Sequence, residues 1–314
     1  MKRAFVFPGQ GSQAPGMGQE LAAAFSAARL LFEEVDDALS QRLSRLMFEG
    51  PESELKLTEN AQPALLAASL AVIRVLEAEA GFDIVRRLAY VAGHSLGEYS
   101  ALAAARAVSV GEAVRLVKRR GQAMQKAVPV GEGAMAALLG LDIDAAREVA
   151  KEATDGGGVC DVANDNCPGQ IVVSGSTAAV ERALAIAAGR GARRSIMLPV
   201  SAPFHCGLMA PAAEVMKEAL AEARFEPPLV PLVANVTAKP TIDVDEIKQL
   251  LVEQVTRMVR WRETVQLFAA SEVEEVVEIG AGKVLAGLTR RVDRELSVAS
   301  VGTPAELDEL VKRL

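Results

Sequence analysis

At 314 residues, with 34 Lys and Arg against 41 Asp and Glu, the chain carries a formal charge of -7. That balance argues against nucleic acid as the main partner, and the length suits one large domain or two smaller ones. Because 50% of the residues are hydrophobic and only 4% aromatic, the core must be assembled mainly from Ala, Val and Leu.

The apolar run after Met1-Lys2-Arg3 is too short for a signal peptide, and the most apolar stretch, Ala64 to Ile73, is too short to span a bilayer. The expectation is therefore no membrane. Three cysteines, Cys160, Cys167 and Cys206, speak for free thiols in a reducing cytoplasm. Cys160, Cys167 and His205 lack any standard metal-ligand spacing, so no metal is expected.

Ala4 to Phe7 reads as a first strand, followed by Pro8-Gly9-Gln10-Gly11-Ser12-Gln13. Gly9-x-Gly11-x-x-Ala14 formally matches a dinucleotide fingerprint. Pro15-Gly16, however, would break the helix that the fingerprint requires, and no P-loop lysine follows. The better reading is a loop whose backbone approaches a substrate. Helical pattern covers Gln19 to Leu39 and Ser40 to Phe48, and Pro63 opens a third helix over Ala64 to Ala80.

Leu88 to Ala92 is a buried strand that feeds Gly93-His94-Ser95-Leu96-Gly97, and a helix then runs to about Ala107. Gly-x-Ser-x-Gly between a strand and a helix is the nucleophile-elbow pattern. Side chains at Gly93 or Gly97 would collide across the sharp turn, while the N–H of Leu96 is placed to stabilise an oxyanion. Ser109-x-x-Glu112 is a capping box for the next helix, Val114 to Val128. On it, Leu116, Arg120 and Met124 share a face at i, i+4 spacing, so Arg120 lies among apolar side chains and needs a negative partner. Spacing leaves open whether that partner is a structural ion pair or a substrate carboxylate.

Residues 131–198 look like an inserted module of order βαββαβ, a split ferredoxin-like arrangement, within a larger unit made of residues 1–130 and 199–314. Its strands are Met135 to Leu139, Val159 to Ala163, Gln170 to Ser174 and Arg194 to Val200. Helices follow Asp142 or Asp144 and Thr177, and Asn164 to Gly169 reads as a turn. The overall expectation is an α/β fold, hydrolase-like with a parallel-sheet core, carrying this small subdomain.

Pro199-Val200-Ser201-Ala202-Pro203-Phe204-His205-Cys206 is held extended by its prolines. The chain has only 2 histidines, and His94, next to Ser95, should point away from the nucleophile's side. His205 is thus the candidate base, in the Ser-before-His order of hydrolases, whereas Cys206 has neither elbow nor second base. Further on come a helix from Leu208 to Ala223, a strand from Leu229 to Ala234, a helix from Asp245 to Arg257, and a strand from Glu272 to Ile279. Gly280-Ala281-Gly282-Lys283 then opens the helix Val284 to Val292. Strand, glycine turn and helix form an anion-receptive arrangement, but plain helix–sheet packing is the preferred reading there.

With Phe7 to Gln13, Gly93 to Glu98, Arg120 and Ala202-Pro203-Phe204-His205 all in place, the chain resembles the malonyl-CoA:acyl carrier protein transacylases over essentially its full length. The likeness extends to Asn166, Pro168-Gly169-Gln170, Asn235-Val236-Thr237 and Gly280-x-Gly282-Lys283. Cys167 stands where the family usually has Ser or Ala, and Ala281 where it usually has Pro. The resemblance implies Ser95 as nucleophile, His205 as general acid/base, and Arg120 on the malonyl carboxylate. It also implies the N–H groups of Gln10 and Leu96 as the oxyanion hole, and the backbone carbonyl of Gln254 orienting the histidine. Asn166 joins the substrate-binding set, and Phe204, with Leu96, resembles the malonyl rather than the methylmalonyl type.

The implied activity is malonyl transfer from malonyl-CoA to the phosphopantetheine thiol of acyl carrier protein, by a two-step exchange without a cofactor, in fatty acid synthesis. The alternatives are a trans-acting polyketide malonyltransferase and a serine thioesterase on the same elbow. A cytoplasmic monomer is expected. An acidic carrier would meet a basic rim drawn from Arg119, Arg190, Arg193, Arg194, Lys283, Arg290 and Arg291.

Overall fold

The computed structural model describes residues 1–313. The strands are β1 (Arg3–Phe7), β2 (Leu88–Gly93), β3 (Gly133–Leu139), β4 (Cys160–Cys167) and β5 (Gln170–Ser176). They continue with β6 (Arg194–Met197), β7 (Leu232–Val233), β8 (Pro240–Thr241), β9 (Glu275–Ile279) and β10 (Ser297–Val301). Two sheets result, a six-stranded one in the order β10-β9-β1-β2-β7-β8 and a four-stranded one in the order β4-β5-β3-β6.

The large sheet is parallel from β10 to β7, and β8 adds an antiparallel edge. Its central strands are covered on both faces, which is why β1 and β9 are buried at every position and read as near-continuous apolar runs. Three ionisable residues interrupt these two strands, Arg3, Glu275 and Glu278; Arg3 Nε donates to Glu275 at 2.6 Å, and Arg313 Nη1 donates to the other oxygen of that carboxylate at 2.7 Å. β2 lies between β1 and β7, so the loop after β2 has neighbours on both sides.

The small sheet is antiparallel throughout, with helices Ile143–Asp155 and Thr177–Gly189 connecting its strands. Its side chains alternate. Ala134, Ala136, Leu138, Ile171 and Val173 pack against those two helices as a separate core. Met135, Ala137 and Val172 face the opposite way, into a cleft against the large sheet. A period of two thus gives one strand a structural face and a cleft face.

Several sequence expectations are corrected. The third helix begins at Thr58, not after Pro63, and runs to Ala80 with Pro63 inside it. The proline sits in its second turn, where the missing N–H removes one hydrogen bond without ending the helix. This helix is long and apolar enough to cross a membrane, but 83% of its most apolar window is buried. The helix read as Gln19 to Leu39 breaks at Phe25, whose backbone is extended. Asn164 to Cys167 belongs to β4 rather than to a turn, with two irregularities of register in that segment. β6 ends at Met197 and β7 holds only Leu232 and Val233. Helices Trp261–Ala270 and Pro304–Val311 and strand β10 had no counterpart in the sequence reading.

The turn from β9 into Val284–Val292 is filled from within. Buried Glu278 accepts from the N–H groups of Leu285 and Ala286 at 3.1 and 2.8 Å, so this helix start serves packing.

Candidate active site

The site is built at the C-terminal end of β2. Ser95 has φ +53°, the strained backbone of an elbow, and the two flanking glycines are required by space. A Cβ on Gly93 would lie 1.9 Å from the Gly97 carbonyl carbon, and one on Gly97 would lie 2.2 Å from the Phe7 oxygen. Neighbouring strands pin the turn. The His94 N–H donates to Phe7 O at 3.0 Å, the Ser95 N–H donates to Asn235 Oδ1 at 2.8 Å, and Asn235 Nδ2 donates to Gly93 O at 2.6 Å.

His205 comes from the proline-bounded loop, is 3% exposed, and also has a left-handed backbone at φ +60°. Its Nε2 lies 2.8 Å from Ser95 Oγ and its Nδ1 lies 2.7 Å from Gln254 O. A carbonyl only accepts, so Nδ1 carries the proton and the Nε2 lone pair faces the serine hydroxyl. Burial, and then the Arg120 charge, push this imidazole down to about 3, leaving it neutral and able to take a proton at neutral pH.

Arg120 reaches the same serine from helix Val110–Ala127. Gly121 lets that helix approach closely, since a Cβ there would lie 2.7 Å from Glu59 Cα. Arg120 is 1% exposed. It donates to Gln62 Oε1 at 2.8 Å, to Gln254 Oε1 at 2.8 Å and to Ser95 Oγ at 3.1 Å, while its Nε has no partner. The question left open by spacing is answered in part: among the described residues no carboxylate forms an ion pair with Arg120. A buried guanidinium held only by neutral acceptors, with an N–H to spare, has the donors and the charge to receive an anion.

These elements line one cleft of about 350 Å³, which also includes Gln10, Leu96, Asn166 and Phe204. Neither the Gln10 nor the Leu96 N–H is taken by a protein acceptor among the described residues, so both are free for an oxygen in the cleft. His94 departs from expectation. It lines the same cleft, with Nε2 donating to Asn166 Oδ1 at 2.9 Å, although it makes no bond to Ser95. Its pKa is lowered by burial, against the raising effect of its bond to Asn166. Cys206 is fully buried and its thiol is pushed up to about 11 by burial, which keeps it protonated beside His205.

The sequence reading missed a buried polar network. Gln62 Nε2 donates to Thr58 Oγ1, which donates to Gln10 Oε1, linking Arg120 to the loop after β1. On the other side, Gln254 Nε2 donates to Ser95 O and to Glu98 Oε2, and Glu98 Oε1 accepts from the Asn235 N–H. The one available signal was an unusual density of polar residues, Thr58 to Gln62, at the start of an otherwise apolar helix.

Much of the expected basic rim is already engaged. Arg119 pairs with Glu218 and Glu222, Arg190 with Glu152, and Lys283 with Glu306. Arg290 donates to Val298 O and Arg291 to Gln170 Oε1.

Comparison with known proteins agrees with this geometry. Residues 4–314 match the family model described as acyl transferase domain. The malonyl CoA-acyl carrier protein transacylase of Bacillus subtilis (strain 168) is 47% identical over 313 residues, covering 100% of this chain and 97% of its own. The chain is a malonyl-CoA:acyl carrier protein transacylase family member. The crystal structure of acyl-carrier-protein-S-malonyltransferase from Bartonella henselae superposes on this acyltransferase with a TM-score of 0.97. It is 52% identical, and the match covers 100% of this chain and 99% of that one. A malonyl-transacylase solved in complex with its type II PKS acyl-carrier protein matches at TM-score 0.96 and 42% identity, covering 100% of each chain.

Proposed function

We propose that this acyltransferase moves a malonyl group from malonyl-CoA to the phosphopantetheine thiol of acyl carrier protein through a malonyl ester on Ser95. The observation that carries the reading is a buried arginine, without a carboxylate partner among the described residues, donating to the hydroxyl of a serine–histidine pair. His205 Nε2 takes the Ser95 proton as Oγ attacks the thioester carbonyl. The N–H groups of Gln10 and Leu96 hold the oxyanion, and His205 returns the proton to the departing CoA sulfur. The carrier thiol then enters, His205 deprotonates it, and the reverse sequence releases Ser95.

Arg120 holds the malonyl carboxylate bidentately, a geometry lysine cannot offer. The same carboxylate offsets the charge that holds the His205 pKa down, so the base strengthens when a dicarboxylic acyl group is in place. Acetyl groups are disfavoured because they leave Arg120 without an anion, and Phe204 beside His205 narrows the cleft toward malonyl over methylmalonyl. The apolar wall of Met135, Ala137, Val172 and Leu198 limits water near the ester.

In fold terms, the reading divides the chain into an α/β-hydrolase-like unit of residues 1–130 and 199–314 and a ferredoxin-like insertion of residues 131–198. The order β4-β5-β3-β6 with crossover helices on one face supports the second label. The place of action is the cytoplasm, as a monomer. Likeness to a transacylase solved with a type II PKS carrier favours keeping polyketide synthesis as a second reading of the pathway. Product analysis with malonyl-CoA, with and without carrier protein, tests the function. The expected product is malonyl-carrier. Free malonate at the same rate in both mixtures would replace the transacylase with a thioesterase.

A further inference from the structure

Two amide side chains present their oxygens to Arg120, and they are held in different ways. Gln62 is backed by the Thr58 hydroxyl, a neutral group that can donate or accept. Gln254 is backed by Glu98, which is 1% exposed and forms no ion pair among the described residues. Burial raises the Glu98 carboxyl to about 7, but both its oxygens face donors, the Asn235 N–H at 3.2 Å and Gln254 Nε2 at 2.5 Å, and these contacts favour the carboxylate. The Gln254 amide therefore bridges a cation and an anion. Its oxygen meets the guanidinium and its NH2 meets the carboxylate, and the reversed orientation would oppose both. The same residue's main-chain oxygen orients His205 Nδ1.

We infer that Glu98 is a positioning residue for acyl-group selection: by fixing the Gln254 amide, it holds Arg120 in the orientation that receives the malonyl carboxylate. The inference rests on the proposed malonyl transfer. Glu98 touches no substrate and reaches the reaction through Gln254 and, by its bond from the Asn235 N–H, through the residue that pins the elbow. Glu98→Gln keeps a side-chain oxygen for the Asn235 N–H, which leaves the Asn235 bond to Ser95 in place, so its effect falls chiefly on substrates that use Arg120. With Gln at position 98, the opposing group can accept or donate, and the Gln254 amide loses its preferred orientation.

The test uses Glu98→Gln and, separately, Gln254→Met, which keeps the main-chain carbonyl to His205 and removes the amide. Acylation of Ser95 is followed with malonyl-CoA and acetyl-CoA on each protein. Glu98→Gln is expected to raise KM for malonyl-CoA roughly tenfold, the loss of one charge-assisted hydrogen bond, and Gln254→Met, whose amide also holds Ser95 O, to slow both acyl groups but malonyl about tenfold more than acetyl. A Glu98→Gln protein too unstable to assay leaves Gln254→Met to read the same link. Equal losses for the two acyl groups in the assayable variant, or no loss for either, would overturn the inference. The wild-type control separates the two layers: if it fails to prefer malonyl over acetyl, the malonyl reading itself fails.

Discussion

Replacing Gly97 with alanine offers a graded way to move the two halves of the oxyanion hole apart. The new Cβ would sit 2.2 Å from Phe7 O, 2.9 Å from Phe7 C and 2.9 Å from Pro8 O. Ordinary contact needs about 3.4 Å, so β1 and its loop must recede from the elbow helix by roughly 1 Å, with no flexible side chain to absorb the shift. That loop carries the Gln10 N–H, whereas Leu96 stays with the elbow helix. A displacement of this size costs about 100-fold in the chemical step. Overpacking adds about 1–3 kcal/mol of destabilisation. Arg120 sits on a different helix, so KM for malonyl-CoA should change little. Stopped-flow or quenched-flow acylation, with circular dichroism to confirm folding, separates kcat from KM. A folded Gly97→Ala protein that acylates at the wild-type rate would refute the claim that the oxyanion donors come from these two elements.

Arg120→Lys keeps the charge and loses the fork, and it leaves Gln62 Oε1 or Gln254 Oε1 without its donor. The expected loss is about 2–4 kcal/mol in malonyl-CoA kcat/KM, with acetyl-CoA much less affected; equal losses would remove Arg120 from carboxylate recognition. Because the His205 pKa is lowered to about 3, the imidazole stays in its base form from mildly acid to mildly alkaline pH. Acylation by p-nitrophenyl acetate, which places no carboxylate on Arg120, should be flat between about pH 5 and 8, and an acid limb near 6.5 would contradict this. Burial raises Glu278 to about 7, above its unfolded value of 4.5, so its contribution to stability is full below 4.5 and is lost as pH rises through 7. Glu278→Gln should therefore lessen the decline in urea stability between those limits, by about 3 kcal/mol at most, and an unchanged pH dependence would rule the group out.

What could be read from the sequence follows from how local each signal is. Ser95 was legible because an elbow imposes its glycines within five residues, and His205 because only 2 histidines exist to choose from. The burial of Arg120 followed from its i, i+4 neighbours, but its partners did not. Gln62, Glu98, Asn235 and Gln254 come from four distant segments and meet only in the folded chain. Pro63 misplaced a helix start because the preference for proline in a first turn was extended one turn too far. Asn164 to Cys167 has the composition of a turn. It is a strand because pairing with β5 supplies its backbone bonds, while Asn166 bonds His94 and Asp165 pairs with Arg262. Tertiary partners there outweigh local propensity.

The central claim is a covalent malonyl–Ser95 intermediate that the carrier discharges. Intact mass after brief mixing with malonyl-CoA, on wild type and on Ser95→Ala, tests it most directly. The account predicts one malonyl adduct on wild type, none on Ser95→Ala, and loss of the adduct on adding carrier protein. An adduct that persists on Ser95→Ala, or one lost to water equally fast with and without carrier, would contradict it.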